Sequence, residues 1–258
     1  MLILLPPSEG KKCPDRGPGL SLSDLRDQQL TAPREQVVAA LLELCNGSTD
    51  DAAQTLGLSA RLADWVDRNR DLRRGPTAPA ATIYTGVLFH ELGLAEMSDS
   101  DFRLANERLI IFSALFGLVR PDDEICCYRL SGGTTLPQVG RITSFWRESL
   151  AKAMPTIVAD DLVVDMRSSP YNGMWSPTPD QLKSFVTVKV WQESPSGQRT
   201  AVSHHNKASK GALARELATV NEQPKNAAEL LDLVSAAGWR AELTESGKST
   251  QLDLYISK

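Results

Sequence analysis

Short runs of apolar residues are the feature of this sequence that most restricts its fold. Leu2–Leu5 is wholly apolar, which predicts a strand buried on both faces of a sheet. Leu109–Phe116 and Glu124–Leu130 also have a β-like composition, and "LVV" in "DLVVDMRSSPY" predicts one more short strand. Residues 183–192 alternate in side-chain character and predict a hairpin with "RTAVSHH" across "SPSGQ". "WRAEL" and "TQLDLYIS" predict a second hairpin around "ESGKS".

Apolar residues at helical spacing predict helices between these strands. Ser98 with Asp101, and Asn226 with Glu229, have the form of capping boxes at two helix starts. The predicted helices are Glu35–Cys45, Ser59–Leu72, Ile83–Leu94, Asp99–Arg108, Ile142–Met154, Asn206–Val220 and a last one from Asn226 to about Gly238.

Strands and helices mixed along the whole chain predict an α+β fold. The sequence has no internal repeat and no long polar linker, so we expect a single mixed α/β domain over residues 1–258. Helical patterns dominate residues 35–108, which predicts a helical lobe there.

The amino terminus and the cysteines predict a cytoplasmic protein. "MLILLPPSEGKK" lacks the basic region and long apolar core of a signal peptide, and no segment is apolar enough to span a bilayer. None of the four cysteines forms a CxxC pair, so we expect no disulfide scaffold and a reducing compartment. Cys126 and Cys127 lie in an apolar run, which favours buried, inert thiols over a redox pair.

The formal net charge of -4 restricts the possible partners. Tight nonspecific binding of nucleic acids is driven by phosphate neutralisation, so such proteins are usually basic. Any anion site in this chain must therefore come from a local cluster of cations.

Familiar catalytic and metal motifs are missing from the sequence. It contains no GxxxxGK[ST], GxGxxG, HExxH or GxSxG pattern and no zinc-spaced set of cysteines and histidines. His204 and His205 could ligate a metal with a carboxylate, but a strand end with one ring facing in and one out is the favoured interpretation. We expect no metal and no cofactor.

Polar residues follow several of the apolar runs. In α/β sheets, ligands often bind beyond strand ends, where loops and helix amino termini converge. Loops are exposed to solvent and rich in polar residues, so this pattern would also arise without a binding site. The residues at such positions are Ser8, Lys11, Lys12, Arg120, Arg129, Arg167, Ser168, Ser169, Tyr171, Lys207 and Lys210.

The sequence resembles the YaaA family of peroxide stress resistance proteins. The resemblance extends over nearly the whole chain and depends on the order and spacing of short motifs. These are "MLILLPPSEG", "YTG" at Tyr84–Gly86, "SALFGLVRP", "YRL", "FW" at Phe145–Trp146, "RSSPY" at Arg167–Tyr171 and "NKASKGALAR" at Asn206–Arg215.

The resemblance implies a single-domain fold called the cantaloupe fold and a positively charged cleft. It also implies survival under hydrogen peroxide, with less free iron and less DNA damage. Relatives bind DNA, including through a helix-hairpin-helix element, which "YTGVLFHELGLAEMSDSDFRLANERL" would supply here.

Family motif residues carry over to this chain by position. They are Tyr84, Gly86, Gly117, Arg120, Pro121, Tyr128, Arg129, Trp146, Ser169, Tyr171, Lys207, Lys210 and Gly211. Relatives often read "SPAKT" after the first strand, whereas this chain reads "PPSEGKK". Glu9 thus occupies the position of the family lysine, which Lys11 or Lys12 could replace.

Two functions follow, of which the first is favoured and the second is the alternative, together with one structural interpretation. In the first, Lys11, Lys12, Arg120, Arg129, Lys207 and Lys210 bind duplex DNA or another anion in a basic cleft. In the second, the same cations hold a small phosphorylated substrate or nucleoside, and Tyr84, Ser169 or Tyr171 transfers protons. In the third, Arg120 and Arg129 only satisfy buried carbonyls and carboxylates such as Asp122 or Asp165. Oligomeric state is not predicted.

Overall fold

The computed structural model describes residues 1–193, 199–201, 205–246 and 249–257. The predicted turn "SPSGQ", part of "ESGKS" and the predicted role of His204 lie outside these residues.

Within the described residues, an 8-stranded mixed sheet forms the centre of the fold, in the order β11-β12-β9-β8-β1-β3-β4, with β10 paired to β9. Its strands are β1 (Leu2–Leu5), β3 (Leu109–Ser113), β4 (Gly117–Val119), β8 (Val163–Asp165), β9 (Phe185–Glu193), β10 (Arg199–Ala201), β11 (Ala241–Ser246) and β12 (Ser249–Ser257). Two small antiparallel pairs lie outside it, namely β2 (Thr77–Pro79) with β5 (Glu124–Cys126) and β6 (Thr135–Leu136) with β7 (Gly140–Arg141).

The centre of the sheet is parallel. β1 pairs in parallel with both β3 and β8, and Leu5 lies opposite Ile111 while Leu4 lies opposite Asp165. All four residues of β1 are buried, as expected for a strand covered on both faces. The carboxyl ends of β1, β3 and β8 therefore meet at one edge, and the loops leaving them come together there.

Helices cover the sheet and fill most of residues 31–108. They are α1 (Thr31–Asn46), α2 (Thr49–Thr55), α3 (Asp64–Arg70), α4 (Ala80–Ile83), α5 (Val87–Leu92), α6 (Asp99–Arg108), α7 (Ile142–Val158), α8 (Ser169–Asn172), α9 (His205–Thr219) and α10 (Ala227–Ala236). Short 3-10 helices lie at Gln28–Leu30, Ala60–Leu62, Leu94–Glu96 and Gln181–Ser184.

The predicted mixed α/β class is confirmed. The capping predictions are also confirmed, because Ser98 accepts a hydrogen bond from the Asp101 amide and Asn226 accepts one from the Glu229 amide. The two predicted hairpins are β9–β10 and β11–β12. The single domain over residues 1–258 and the cantaloupe fold stay predictions.

Two predicted helices are broken. The segment Ser59–Leu72 divides into a 3-10 turn and α3. Ile83–Leu94 divides at Tyr84–Gly86, because Gly86 has a φ of 103° and Tyr84 is extended. A Cβ on Gly86 would also lie 2.8 Å from Ser8 Oγ, so only glycine fits this turn. The break directs Tyr84 toward the carboxyl edge of the sheet.

The run Leu109–Phe116 contains a tight hairpin. β3 ends at Ser113, and β4 returns antiparallel, with Gly117 opposite Ser113 and Val119 opposite Ile111. Gly117 has a φ of 72°, and a Cβ there would come within 2.7 Å of the Trp146 ring. The "FG" of the motif therefore supports the turn rather than a ligand.

No helix in the described part of the chain is long and apolar enough to cross a membrane.

Candidate functional site

Five polar side chains converge at the carboxyl edge of the parallel strands. We call them the carboxyl-edge cluster, and they are Lys11, Tyr84, Ser113, Tyr128 and Tyr171. Ser113 is the last residue of β3, Lys11 follows β1, and Tyr128 follows β5. The cluster thus depends on segments far apart in the sequence.

A chain of buried hydroxyl groups crosses the cluster. Tyr84 Oη lies 2.8 Å from Tyr128 Oη, which lies 2.8 Å from Ser113 Oγ. The Phe116 amide donates to Ser113 Oγ at 3.1 Å. Either hydroxyl of each pair could be the donor, so the three groups form one continuous hydrogen-bonded chain.

Lys11 lies against this hydroxyl chain. Its Nζ is 4.3 Å from the Tyr128 ring centroid and 5.5 Å from that of Tyr84, and it donates to the Ser8 carbonyl at 2.8 Å. The residue is half-buried and lines an open pocket. Burial lowers the pKa of Lys11 to about 8; Glu9 opposes this shift, and Arg129 adds to it.

Backbone hydrogen bonds fix Lys11 in this position. Lys11 pairs with Tyr84 in an isolated antiparallel bridge. The Lys12 amide donates to the Ile83 carbonyl at 2.9 Å, and the Thr85 amide donates to the Gly10 carbonyl at 3.1 Å. Neighbouring residues of an extended segment point to opposite sides, so Lys12 is exposed while Lys11 faces inward. Of the two candidates for the family lysine, Lys11 is the one that reaches the cluster.

The three tyrosines are buried and protonated. Burial is the main cause that raises the pKa of Tyr84, Tyr128 and Tyr171 above the ordinary value. Tyr171 is 5% exposed, and its O–H group has no acceptor among the described residues, although the Gly132 backbone lies against its oxygen. The Glu9 carboxylate also raises its pKa, while the Gly132 backbone and Arg129 lower it. A buried donor without a partner is rare in folded proteins and is a candidate ligand contact.

Arg129 and Glu9 form an ion pair beside the cluster. Arg129 Nη2 lies 3.0 Å from Glu9 Oε2, and Arg129 Nη1 donates to the Glu9 carbonyl at 3.1 Å. Buried Asn69 holds the Arg129 backbone with two hydrogen bonds of 2.9 Å. The Glu9 side chain is 54% exposed, so an incoming anion could replace it at small cost.

A second, buried ion pair supports the neighbouring loop. Arg167 donates from Nε and Nη2 to the two Asp165 oxygens at 2.8 and 2.9 Å. Arg167 Nη1 also donates to the carbonyls of Tyr171 and Trp175. This arrangement fixes the backbone that carries Tyr171, so Arg167 is a positioning residue.

The remaining candidates are divided between buried and exposed positions. Lys210 donates to the Met166 carbonyl at 3.3 Å, and burial lowers its pKa to about 8, which Asp165 opposes. Lys207 is exposed on the first turn of α9, and Ser169 is exposed at the start of α8.

Arg120 is not near the cluster. β4 runs antiparallel to β3, so it carries the chain back toward the opposite edge of the sheet, where Arg120 follows its last residue. There Arg120 is buried and donates from Nη1 to the Glu107 and Leu109 carbonyls at 3.0 and 3.2 Å. Arg120 therefore fills the structural role, whereas Arg129 faces the cluster.

The expectation about Cys127 is wrong, because Cys127 is bonded to Cys13 with a Cα–Cα distance of 5.4 Å. Cys126 and Cys45 are free and buried, as predicted for Cys126. The sequence carried no signal for this pair, because the two cysteines are 114 positions apart and only tertiary contacts bring them together.

Two open pockets border the cluster. The first, of about 400 Å³, is lined by Lys11, Cys13, Pro14, Asp15, Arg61, Asp64, Trp65 and Arg68. The second, of about 420 Å³, is lined by Glu9, Thr55, Leu56, Gly57, Arg129, Ser131, Gly133 and Thr134. Arg61 and Arg68, which belong to none of the sequence motifs, add two cations on the Lys11 side.

The segment proposed for a helix-hairpin-helix contains α5, a 3-10 turn and α6. The carbonyls of its turn already bind a side chain of this protein, because Arg215 Nη1 donates to Leu92 and Gly93, each at 3.0 Å. Gly211 packs α9 onto α5, since a Cβ there would lie 2.2 Å from the Leu88 carbonyl oxygen.

The described ranges contain no group of three or more histidine, cysteine, aspartate or glutamate side chains arranged to hold a metal ion.

Comparison with known proteins agrees with the motif resemblance. A family model described as peroxide stress protein YaaA matches residues 1–244. A UPF0246 protein of Streptomyces coelicolor is 39% identical over 259 residues, which cover 99% of this chain and 98% of that protein. A UPF0246 protein of Corynebacterium efficiens is 39% identical over 254 residues, with coverage of 97% and 98%. One of Bacteroides thetaiotaomicron is 30% identical over 219 residues, with coverage of 76% and 79%. The chain therefore belongs to the YaaA family of peroxide stress proteins.

Proposed function

We propose that this protein acts in peroxide stress as a cytoplasmic enzyme on a small anionic substrate, such as a phosphorylated compound or a nucleotide. The substrate would lie in the pocket beside Lys11, with its reacting group toward the carboxyl-edge cluster. The single observation that carries the proposal is the ammonium group of Lys11, buried 4.3 Å from the ring centroid of Tyr128.

The surroundings of Lys11 lower the stability of the folded protein but can assist the transfer of a proton. A largely buried ammonium group whose hydrogen bond goes to a backbone carbonyl rather than a carboxylate destabilises the folded state, and so does a buried tyrosine O–H group without an acceptor. Such groups collect at functional sites because catalysis needs shifted pKa values. A purely structural cluster would be better served by apolar side chains of the same size.

Lys11 is suited to the role of general base. With a pKa of about 8, roughly one molecule in ten carries the neutral amine at pH 7. The neutral amine can accept a proton from the substrate. The hydroxyl chain from Tyr84 through Tyr128 to Ser113 supplies neighbouring donors, and Tyr171 can donate to an oxygen that gains negative charge.

Cations around the two pockets would bind the anionic part of the substrate. Arg61 and Arg68 line the Lys11 pocket, and Arg129 lines the other. Guanidinium groups suit phosphate and carboxylate oxygens because they can donate two parallel hydrogen bonds.

Thermal shift with a ligand panel tests this proposal. The panel contains nucleoside monophosphates and diphosphates, sugar phosphates and dicarboxylates at millimolar concentration. At least one class should raise the melting temperature of the wild type, because a ligand that binds only the folded state stabilises it. The shift should disappear in Arg68→Met and persist in the matched surface variant Arg103→Met. A panel without any hit would contradict the proposal.

DNA binding is the second candidate, in which the protein would protect DNA from oxidative damage and limit free iron. The observation that favours it is a group of cations around the Lys11 pocket: Arg61 and Arg68 line it, and exposed Lys12 is the next residue after Lys11. The sequence pI of about 5.5 and the inward position of Arg120 argue against an extensive phosphate-binding surface.

Fluorescence anisotropy with duplex DNA tests this second candidate. Binding should be detectable at about 50 mM salt and should weaken steeply as salt rises, because phosphate contacts release counterions. The triple variant Lys12→Gln, Arg61→Gln and Arg68→Gln should reduce the salt dependence. No binding at low salt would exclude this function.

A further inference from the structure

The disulfide links two segments of the candidate site. Cys13 lies two residues after Lys11, and Cys127 directly precedes Tyr128. The bond therefore connects the loop that carries Glu9 and Lys11 to the segment that carries Tyr128. The contact between the Lys11 ammonium group and the Tyr128 ring joins the same two segments.

The two bonded cysteines are also the two accessible ones. Cys13 and Cys127 are partly exposed, whereas Cys45 and Cys126 are 0% and 2% exposed. Burial raises the pKa of both free thiols, to about 12 for Cys126. A thiol must ionise to react, so the free pair is protected while the bonded pair is placed for chemistry.

We propose that Cys13 and Cys127 form a peroxide-responsive modification site. Hydrogen peroxide converts the reduced dithiol to the disulfide, and the bond holds the Lys11 loop against the carboxyl-edge cluster. This inference goes beyond the proposed enzyme, since it holds whichever anion occupies the pocket. A partly exposed disulfide is more readily reduced than a buried structural one, and labile, regulatory disulfides are of this exposed kind.

The oxidation proceeds in two steps that balance. The Cys13 thiolate attacks one peroxide oxygen, the O–O bond breaks, and Cys13 sulfenic acid and hydroxide form. The Cys127 thiolate then attacks the sulfenic sulfur, the S–O bond breaks, and the disulfide and a second hydroxide form. Counting the two thiol protons, the products are the disulfide and two waters. A dithiol reverses the reaction by thiol–disulfide exchange and is itself oxidised.

Cys13 is assigned the attacking role because of its surroundings. It lines the open pocket together with the cations Lys11, Arg61 and Arg68 and the carboxylates Asp15 and Asp64. Cations outnumber carboxylates in this lining, and the open pocket gives a small uncharged oxidant access to the Cys13 sulfur. Cys127 does not line this pocket, which suits a resolving cysteine.

The loop is also held by hydrogen bonds that reduction does not remove. The Lys12 amide bonds the Ile83 carbonyl, and the Thr85 amide bonds the Gly10 carbonyl. Reduction should therefore loosen residues 6–20 without unfolding the protein. The expected effect is a graded change in the site and not its loss.

Mass spectrometry of the reduced protein tests the chemistry. Full-length protein is reduced with dithiothreitol, freed of reductant without air, and treated with equimolar hydrogen peroxide. We expect the loss of two hydrogens and a crosslinked peptide pair containing Cys13 and Cys127, formed at least tenfold faster than glutathione is oxidised at the same pH. Cys13→Ser should abolish the crosslink, and Cys45→Ser and Cys126→Ser should leave its rate unchanged.

Hydrogen exchange tests the structural consequence. Amides of residues 6–20 should exchange several-fold faster in reduced than in oxidised protein, while those of β1 and β3 stay unchanged. A peroxide rate equal to that of glutathione, a crosslink through Cys126, or equal exchange of residues 6–20 in the two forms would each overturn the proposal.

Discussion

The ammonium group of Lys11 lies 4.3 Å from the ring centroid of Tyr128, and protein atoms surround it. The contact joins the loop after the first strand to a segment more than a hundred residues later. The Tyr128 ring attracts the ammonium group electrostatically, but this attraction is weaker than the hydration that the group loses on burial. The pKa of Lys11 therefore falls to about 8.

Lys11→Met should stabilise the protein at neutral pH. The folded pKa of about 8 lies below the ordinary 10.5, so the unfolded chain binds more protons between these values and wild-type stability rises with pH there. The variant should gain about 1–2 kcal/mol at pH 7, because relief of ammonium burial exceeds the lost cation–π contact. This gain should shrink as pH rises from 8 to 10.5. Urea unfolding at several pH values measures it, with Lys12→Met as the exposed control. A loss of stability at pH 7 would contradict the burial argument.

Glu9→Gln should lower the pKa of Lys11 further below about 8, since the Glu9 carboxylate raises it. The variant should also free the Arg129 guanidinium and strengthen the binding of anions in its pocket. The pH dependence of Lys11 acetylation, followed by peptide mapping, measures the first effect. Asp15→Asn is the matched carboxylate control. An unchanged acetylation midpoint in Glu9→Gln would show that the two groups are not coupled.

Tyr171→Phe and Tyr128→Phe should differ in stability. The Tyr171 O–H group has no acceptor among the described residues, so its removal should change the free energy of unfolding by no more than about 1 kcal/mol. Tyr128 makes two buried hydrogen bonds, and its removal should cost about 1–3 kcal/mol. Urea unfolding measures both. Equal destabilisation would mean that Tyr171 has a structural partner.

Arg120→Met should destabilise the protein by about 3 kcal/mol, because it leaves two buried carbonyls without their donor. Any ligand found in the thermal shift panel should still bind the variant with unchanged affinity. Arg129→Met should weaken ligand binding but leave the stability nearly unchanged, because its side chain is 23% exposed and its ion pair adds little stability. Isothermal titration and thermal melts separate the two effects. Weaker ligand binding by Arg120→Met would place that residue in the site.

Reduction of the disulfide should lower the melting temperature by about 10 °C. The bond closes a loop of 114 residues, for which chain entropy gives roughly 4–5 kcal/mol. Calorimetry with and without a reductant measures the change, and Cys13→Ser should melt like the reduced wild type. Cys45→Ser should keep the full difference. Identical melts of oxidised and reduced protein would contradict the expectation.

Local patterns in the sequence determined much of the fold. The apolar run Leu2–Leu5, the capping residues Ser98 and Asn226 and the two hairpins were all predictable, because each depends on a few neighbouring residues. The helix predicted over Ile83–Leu94 was interrupted at Gly86, where a close approach to Ser8 matters more than helical spacing. The family, too, could be recognised from motifs in order along the chain.

Only the tertiary structure decided which of these residues share a site. Arg120 and Arg129 both follow apolar runs, yet the β3–β4 hairpin returns Arg120 to the far edge of the sheet while Arg129 stays beside Glu9. Lys11 and Lys12 are neighbours, yet the extended backbone turns only Lys11 inward. Strand direction and strand order produce these differences. They depend on pairings between residues far apart in the chain, which spacing within a short segment does not encode.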